Sequence, residues 1–322
     1  MTSDPSKLKM IFMGTPEFAE GILSTLIREK YKITSVYTQP DKRVGRKQIS
    51  EKSPVRIAAE KNNIAVFTPS RLDASVVSEI KKQKPDIIIV AAYGRILPKA
   101  ILELPIFGAL NVHASLLPKY RGASPIQNAI LNGETETGAT IMLMDEGIDT
   151  GDILSQRPVR IEKDETSLEL LKKLAEVSAE LLLETLPLWL EKKITPQKQD
   201  NSKASLCRMI NREDGRIDWN DTARHIYNRF RAFQPWPGIF TLWGRHEKAI
   251  RIKFNKISVL NKIDKETKNA GRGEVVRIGE KIGVATAESF VILKTVQLEG
   301  KPETKIEAFL NGYPDFIGSV LK

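Results

Sequence analysis

The chain has 322 residues, 41% hydrophobic and 28% charged, which suits two globular domains or one large one and excludes a disordered or fibrous chain. A single cysteine, Cys207, excludes an intramolecular disulfide, and three dispersed histidines argue against a structural zinc site. The net charge is +10, and the segment from Ser205 onward holds 21 basic against 14 acidic residues, so the C-terminal third suits a polyanionic partner, nucleic acid first.

Polar residues Met1 to Lys9 lead straight into Met10-Ile11-Phe12-Met13. No run reaches the roughly 18 apolar residues of a membrane span, and no signal-peptide pattern is visible, so a cytoplasmic protein is expected. Lys9–Met13 reads as a buried strand, and Pro16–Arg28 as a helix with Phe18, Ile22, Leu23, Leu26 and Ile27 on one stripe. Ile33–Thr38 is a second strand. Val55–Asn62 and Leu72–Lys82 read as helices, the latter with Ser70 as its expected cap. The β-branched run Ile87-Ile88-Ile89-Val90 suits a central parallel strand, and another strand should end near Val112. Thr140–Leu143 and Ile153–Ile161 are further strands, followed by an amphipathic helix over Thr166–Trp189 bearing Leu171, Leu174, Ala175, Leu181, Leu182 and Leu186.

The polar, aperiodic stretch 194–205 reads as a linker, which divides the chain into domains 1–193 and 206–322. Beyond it come a helix, Thr222–Ala232, and short strands near Ile239–Trp243, Ala249–Ser258, Gly273–Arg277, Gly283–Ala285 and Ser289–Gln297. Their spacing and glycine-rich turns suggest a small β-barrel. The expected fold is thus α/β, a Rossmann-like parallel-sheet domain followed by an OB-like barrel.

Chemistry concentrates in Asn111-Val112-His113-Ala114-Ser115-Leu116-Leu117-Pro118, where a parallel strand should end. Open α/β sheets place their active sites there. Asn111 and His113 are two apart, so on a strand they share a face, and an amide beside an imidazole can stabilise an oxyanion. Asp145-Glu146-Gly147-Ile148-Asp149-Thr150-Gly151-Asp152 could bring a carboxylate to that imidazole. Spacing does not choose among Asp145, Glu146, Asp149 and Asp152. Gly14-Thr15-Pro16-Glu17-Phe18-Ala19 lacks the G-x-G-x-x-G spacing of a dinucleotide loop, which argues against a nicotinamide dehydrogenase. The connection Gln39–Pro54 is long for an α/β unit and carries Lys42, Arg43, Arg46 and Lys47. In the C-terminal domain, Arg208, Arg229, Arg245, Lys248, Arg251 and Lys253 are candidate phosphate contacts, whereas Trp236 reads as a packing residue.

The Asn-x-His-x-Ser-Leu-Leu-Pro run, with Gly-Ile-Asp-Thr-Gly following it, resembles the folate-dependent formyltransferase family. Gly14–Ala19, Gln39-Pro40-Asp41-Lys42, Ser53-Pro54-Val55 and Arg231–Pro237 extend the resemblance over nearly the whole chain. Within the family it is strongest to members acting on methionyl-tRNA. The resemblance implies that Asn111, His113 and Asp149 form the catalytic set, and it selects Asp149 over its acidic neighbours. It implies 10-formyltetrahydrofolate as formyl donor, lying against Tyr93, Gly94, Arg95, Ile96 and Leu97 and closed in by Ser115, Leu116, Leu117 and Pro118. It implies initiator methionyl-tRNA as acceptor, with the Lys42, Arg43, Arg46 and Lys47 loop entering its acceptor end, and no metal. A monomer is the implied state. A sugar nucleotide or purine precursor as acceptor, or a non-catalytic RNA-binding protein, are the competing readings. The basic loop and basic C-terminal domain argue against the first, and the intact Asn-His-Asp set against the second.

Overall fold

A computed structural model describes residues 7–44, 49–260 and 270–322, with the side chains of 43, 44 and 49 outside the description. The chain divides into two compact units. The first comprises 1–126, 135–161 and 169–209, and the second 127–134, 162–168 and 210–322.

In chain order the elements of the first half are β1 (Met10–Gly14), α1 (Glu17–Arg28), β2 (Ile33–Tyr37), β3 (Lys42–Val44), β4 (Ile49–Glu51) and α2 (Pro54–Lys61). Then follow β5 (Ala65–Phe67), α3 (Ala74–Gln83), β6 (Ile87–Ala91), α4 (Lys99–Leu102), β7 (Ala109–His113), β8 (Arg121–Gly122) and α5 (Pro125–Leu131). Finally come β9 (Glu136–Leu143), β10 (Ile153–Arg160), α6 (Ser167–Leu190) and β11 (Leu206–Cys207).

A seven-stranded sheet in the order β10-β9-β7-β6-β1-β2-β5 organises the first unit. The five strands from β7 to β5 are mutually parallel, and β9 and β10 add antiparallel neighbours at one edge. All residues of β1, β6 and β7 are buried, because a parallel sheet covered on both faces has no solvent side. Alternate residues Ile11 and Met13, Ile88 and Val90 line one face, where they pack with Tyr37, Ile80, Tyr93, Leu97 and Ile101. Gly14 ends β1 because a Cβ there would lie 2.7 Å from the Ala19 Cβ and 2.9 Å from the Ala91 carbonyl oxygen. The chain runs outward from β1 to β2 and β5, then returns across it to β6 and β7. That reversal marks the sheet end where ligands collect.

Several local readings change. The N-cap of α3 is Asp73, whose carboxylate accepts from the Ser75 and Val76 amides, rather than Ser70. Leu170, fully buried, takes the place expected for Leu171 on the α6 stripe, since it stands four residues before Leu174. The long basic connection is a β3–β4 hairpin pairing Lys42 with Glu51. Lys42 is exposed at its base, while Arg46 and Lys47 lie outside the described residues. The stretch 194–205 is held within the first unit. Gln197 exchanges backbone hydrogen bonds with Ile153, the Tyr120 amide donates to Ser205 Oγ, and β11 pairs with β8.

The second unit contains α7 (Ala223–Ala232), then β12 (Ile239–Arg245), β13 (Lys248–Val259), β14 (Val275–Ile278), β15 (Lys281–Ala285), β16 (Phe290–Leu298), β17 (Thr304–Lys305) and α8 (Ile306–Gly312). An antiparallel sheet runs β12-β13-β16-β15-β14, with β17 on β16. The last residues close it into a barrel. Leu321 bridges Trp243 on β12, and Val320 bridges Glu274 beside β14, so the C-terminal segment satisfies both open edges. Trp243 is buried beneath it, with Phe316, Tyr313 and Phe309 at 5.1, 5.9 and 6.1 Å between ring centroids. Trp243→Ala should therefore cost about 3–5 kcal/mol of this unit's stability, measured by urea unfolding followed by circular dichroism. A loss below about 1 kcal/mol would show that the C-terminal segment closes the barrel without that ring.

Trp236, read as packing, is 58% exposed, because the neighbouring core positions are taken by Phe233 and Ile239. Three arginines of the barrel unit are engaged internally. Arg245 pairs with Asp315 at 2.7 Å, Arg229 with Asp221 at 3.2 Å, and the Arg251 guanidinium lies 3.3 Å from the Phe240 ring centroid. Lys248 remains exposed. Arg208 falls in the first unit.

Candidate active site

Three elements of the first unit converge at the end of β7. The period-2 geometry of that strand places Asn111 and His113 on one face, and both are more than nine-tenths buried. The β9–β10 hairpin then brings a carboxylate to them. Asp149 Oδ1 accepts from Asn111 Nδ2 at 3.1 Å, and Oδ2 lies 3.6 Å from His113 Nδ1. The third element is β8, whose Gly122 amide donates to Asp149 Oδ2 at 2.7 Å. A charge-assisted bond from a backbone amide is strong and fixed in direction, so this carboxylate is held between two strands.

The histidine is fixed on its other side as well, with Nε2 2.9 Å from the Tyr120 carbonyl oxygen. A ring carrying its proton on Nε2 donates to Tyr120 and presents a lone pair toward Asp149. A doubly protonated ring donates to Tyr120 and forms an ion pair with Asp149. Asn111 has two amide hydrogens, and Asp149 uses one of them. Together these groups form a constellation with one part-buried acceptor, one buried proton carrier and one buried amide donor.

Local contacts separate Asp149 from its acidic neighbours. Asp145 accepts from the Gly147 amide at 3.0 Å and the Thr150 hydroxyl at 2.7 Å, so it closes its own turn. Glu146 pairs with Lys99 at 3.1 Å. Asp149 itself has φ 54°, a left-handed conformation that aspartate tolerates better than most residues, and this turn aims its carboxylate back at β7.

The Tyr93–Leu97 segment follows β6 at the same end of the sheet. Tyr93 and Leu97 are buried in the core, Gly94 has φ 77°, and Ile96 is 70% exposed. The Tyr93 carbonyl accepts from Thr15 Oγ1 and Gln39 Nε2, and Arg95 donates to the Ser70 carbonyl. Burial pushes the Tyr93 phenol up. The surface this segment offers a ligand is therefore backbone plus the Arg95 and Ile96 side chains. Ser115 is fully buried, with its hydroxyl on the Lys119 carbonyl at 2.6 Å, and Leu117 is buried beside Met142 and Ile153. Thr140 and Gln156 pin this loop by accepting from the Leu117 amide and donating to its carbonyl respectively, while Leu116 and Pro118 are partly exposed.

Sequence reasoning missed the Gly122 amide, Gln199 and Cys207. The Gln199 side-chain amide donates to the Asp149 carbonyl at 2.9 Å and the Gly151 carbonyl at 2.7 Å. Cys207 is buried with its thiol toward the Tyr120 and Arg121 carbonyls, and desolvation, reinforced by the Asp149 charge, raises its pKa. A thiol so placed is a packing group rather than a nucleophile. Among the described residues no group of three or more His, Cys, Asp or Glu side chains is arranged to hold a metal, and no helix is long and apolar enough to cross a membrane.

Comparison with known proteins identifies the architecture. The chain is 45% identical to a methionyl-tRNA formyltransferase of Caldicellulosiruptor saccharolyticus over 318 residues, 98% of this chain and 100% of the relative. It is 45% identical to a methionyl-tRNA formyltransferase of Campylobacter jejuni, over 94% of this chain and 96% of the relative. Among solved structures, an N-formyltransferase of Helicobacter canadensis, crystallised with folinic acid and dTDP-3-aminofucose, has the same fold, with a TM-score of 0.64 at 23% identity over 89% of this chain and 98% of that one. The formyl transferase family profile matches residues 7–186, which include every residue of the Asn111, His113 and Asp149 constellation, and the profile of the family's C-terminal domain matches residues 209–314. The sheet and its constellation fall within the first profile and the barrel strands within the second, and together these matches make the chain a member of the formyl transferase family.

Proposed function

We propose that this protein transfers the formyl group of 10-formyltetrahydrofolate to the α-amino group of methionyl initiator tRNA. The observation that carries this reading is near-full-length similarity, at 45% identity, to relatives named for that reaction. The Asn111-His113-Asp149 set supplies the groups that acyl transfer to an amine requires.

The chemistry is an amide exchange. The neutral methionyl nitrogen attacks the formyl carbon, a C–N bond forms, and charge builds on the formyl oxygen. The Asn111 amide hydrogen not used by Asp149 donates to that oxygen, and His113, whose ring nitrogens face Tyr120 and Asp149, contributes the charge of its imidazolium rather than a hydrogen bond. The bond from the formyl carbon to folate N10 then breaks, and the proton lost by the attacking amine ends on N10. Asp149 faces His113 Nδ1 and supports this transfer without forming a covalent intermediate. The pterin lies against the Tyr93–Leu97 backbone, with Ser115 to Pro118 on its other side. Lys42, Arg43, Arg46 and Lys47 belong to the connection between Gln39 and Pro54, which meets the acceptor end of the tRNA. The first compact unit, which takes in 194–209, is the catalytic domain, and the barrel unit tracks the tRNA phosphates.

Binding energy from a large acceptor can be used to orient its reacting amine. Free methionine should consequently show a kcat/KM at least ~10³-fold below that of methionyl-tRNA. The measurement is folate release from 10-formyltetrahydrofolate with methionyl-tRNA, free methionine and an amino-sugar nucleotide in parallel. Turnover with methionyl-tRNA alone supports the reading. Comparable kcat/KM for free methionine, or preference for the sugar nucleotide, overturns it.

A further inference from the structure

The segment 194–205 has no periodicity, yet it lies across the turn that presents Asp149. We infer that Gln199 is a positioning residue for formyl transfer, because its one side chain clamps the Asp149 turn and ties it to Arg121, the neighbour of the Gly122 amide that holds the Asp149 carboxylate. The inference rests on the function proposed above and adds to it a residue outside the Asn-His-Asp set.

The geometry uses the whole Gln199 side chain. Its Nε2 donates to the Asp149 and Gly151 carbonyls at 2.9 and 2.7 Å. Its Oε1 accepts from Arg121 Nε at 3.0 Å and Nη2 at 2.8 Å, and Nη2 also donates to Asn201 Oδ1 at 2.8 Å. Arg121 is 6% exposed, so its charge is buried and satisfied by neutral amide oxygens. An arginine fork meeting one oxygen with two donors fixes that oxygen in a plane, which in turn fixes where the amide nitrogen points.

Asp149 needs such a clamp for two reasons. Its φ of 54° is a conformation that surrounding structure must impose on a non-glycine residue. Its carboxylate also has two assigned positions, Oδ1 on Asn111 and Oδ2 on the Gly122 amide beside His113. If Asp149 swings outward, Asn111 and His113 lose their shared acceptor while their own strand stays intact. Gln199 thus acts from behind the turn and Gly122 from in front of it, and Arg121 links the two.

Two variants separate the halves of this role. Gln199→Met has similar length and makes neither set of bonds. Gln199→Glu keeps an acceptor for Arg121 but loses both donors to the turn. In the full chain, with 10-formyltetrahydrofolate and methionyl-tRNA, both should lower kcat by ~10²-fold, as misplacement of a reacting group by about an ångström does. KM for either substrate should stay within about twofold, since neither binding surface is touched. Gln197→Ala, whose exposed side chain stands two residues earlier, should leave kcat unchanged. In the same proteins without substrate, amide hydrogen exchange over residues 145–151 should quicken in both Gln199 variants and not in Gln197→Ala.

A kcat within threefold of the parent in Gln199→Met overturns the proposal. Full rescue by Gln199→Glu also overturns it, since anchoring of Arg121 alone would then suffice. If the parent fails to turn over methionyl-tRNA, the proposed function falls, and the exchange measurement still judges the clamp. Unchanged exchange in both Gln199 variants rejects it.

Discussion

Asp149→Ala should lower kcat by ~10³-fold or more while KM for the formyl donor changes little, since this one carboxylate organises both partners that act on the transition state. Asn111 Nδ2 and the Gly122 amide both donate to it, and His113 Nδ1 faces it at 3.6 Å. Truncation removes the acceptor and frees Asn111 to turn, so an oxyanion donor worth ~10²–10³ in rate is misdirected along with the proton relay. Asn111→Ala and His113→Ala should each fall by ~10²–10³-fold, and the double and triple variants should be little worse than the worst single one, because groups that act as a unit are not additive. Asp145→Ala is the control. That carboxylate is spent on its own turn, accepting from Gly147 and Thr150, so its loss should cost no more than a few-fold. Single-turnover kinetics with saturating donor and acceptor separate these effects from binding. Near-parental turnover in Asp149→Ala with a large loss in Asp145→Ala would assign the carboxylate role to the wrong residue.

How far the site could be read from sequence depended on what kind of interaction built each part. That Asn111 and His113 share a face was legible from period-2 geometry, because β7 is an unbroken buried strand, but their catalytic role was pointed to by family resemblance. Asp149 was not legible from spacing. Four carboxylates stand within eight residues, and the choice is made by a left-handed backbone at Asp149 and by local bonds that occupy Asp145 and Glu146. Family resemblance, rather than spacing, pointed to it. The Gly122 amide left no trace, since a backbone donor looks the same at every residue except proline. The stretch 194–205 looked like a linker because its order comes from single side chains bonding to backbone and to Arg121, an arrangement without periodicity.

The barrel shows the same division. Its strands announced themselves by β-branched runs between glycine turns, whereas its closure rests on isolated bridges from Val320 and Leu321 that are too short for any pattern. Excess positive charge marked the domain but could not say which cations are engaged. Arg229, Arg245 and Arg251 turn out to pair with carboxylates or an aromatic ring within the unit.

Gly122→Ala should damage catalysis as well as folding, lowering kcat by ~10²-fold and stability by about 1–3 kcal/mol. Gly122 has φ 114°, outside the regions open to residues with a side chain. Its added Cβ would lie 2.3 Å from the Cys207 carbonyl oxygen, which belongs to the backbone of β11 and cannot rotate away. That oxygen accepts from the Ala123 amide, so relieving the clash means prising β8 from β11. The Gly122 amide must move with β8, and with it goes the 2.7 Å bond that holds Asp149 Oδ2 beside His113. Gly94 gives the contrast. It too has positive φ, 77°, but its added Cβ would meet only the Gln39 side-chain nitrogen, which can swing aside. Gly94→Ala should therefore weaken the formyl donor through KM and leave kcat within a few-fold, whereas Gly122→Ala should act on kcat and leave KM nearly unchanged. Steady-state kinetics and urea unfolding of both variants test the contrast. If Gly122→Ala turns over normally, the Asp149 carboxylate does not need its β8 amide, and Asn111 together with the Gln199 clamp suffices to hold it.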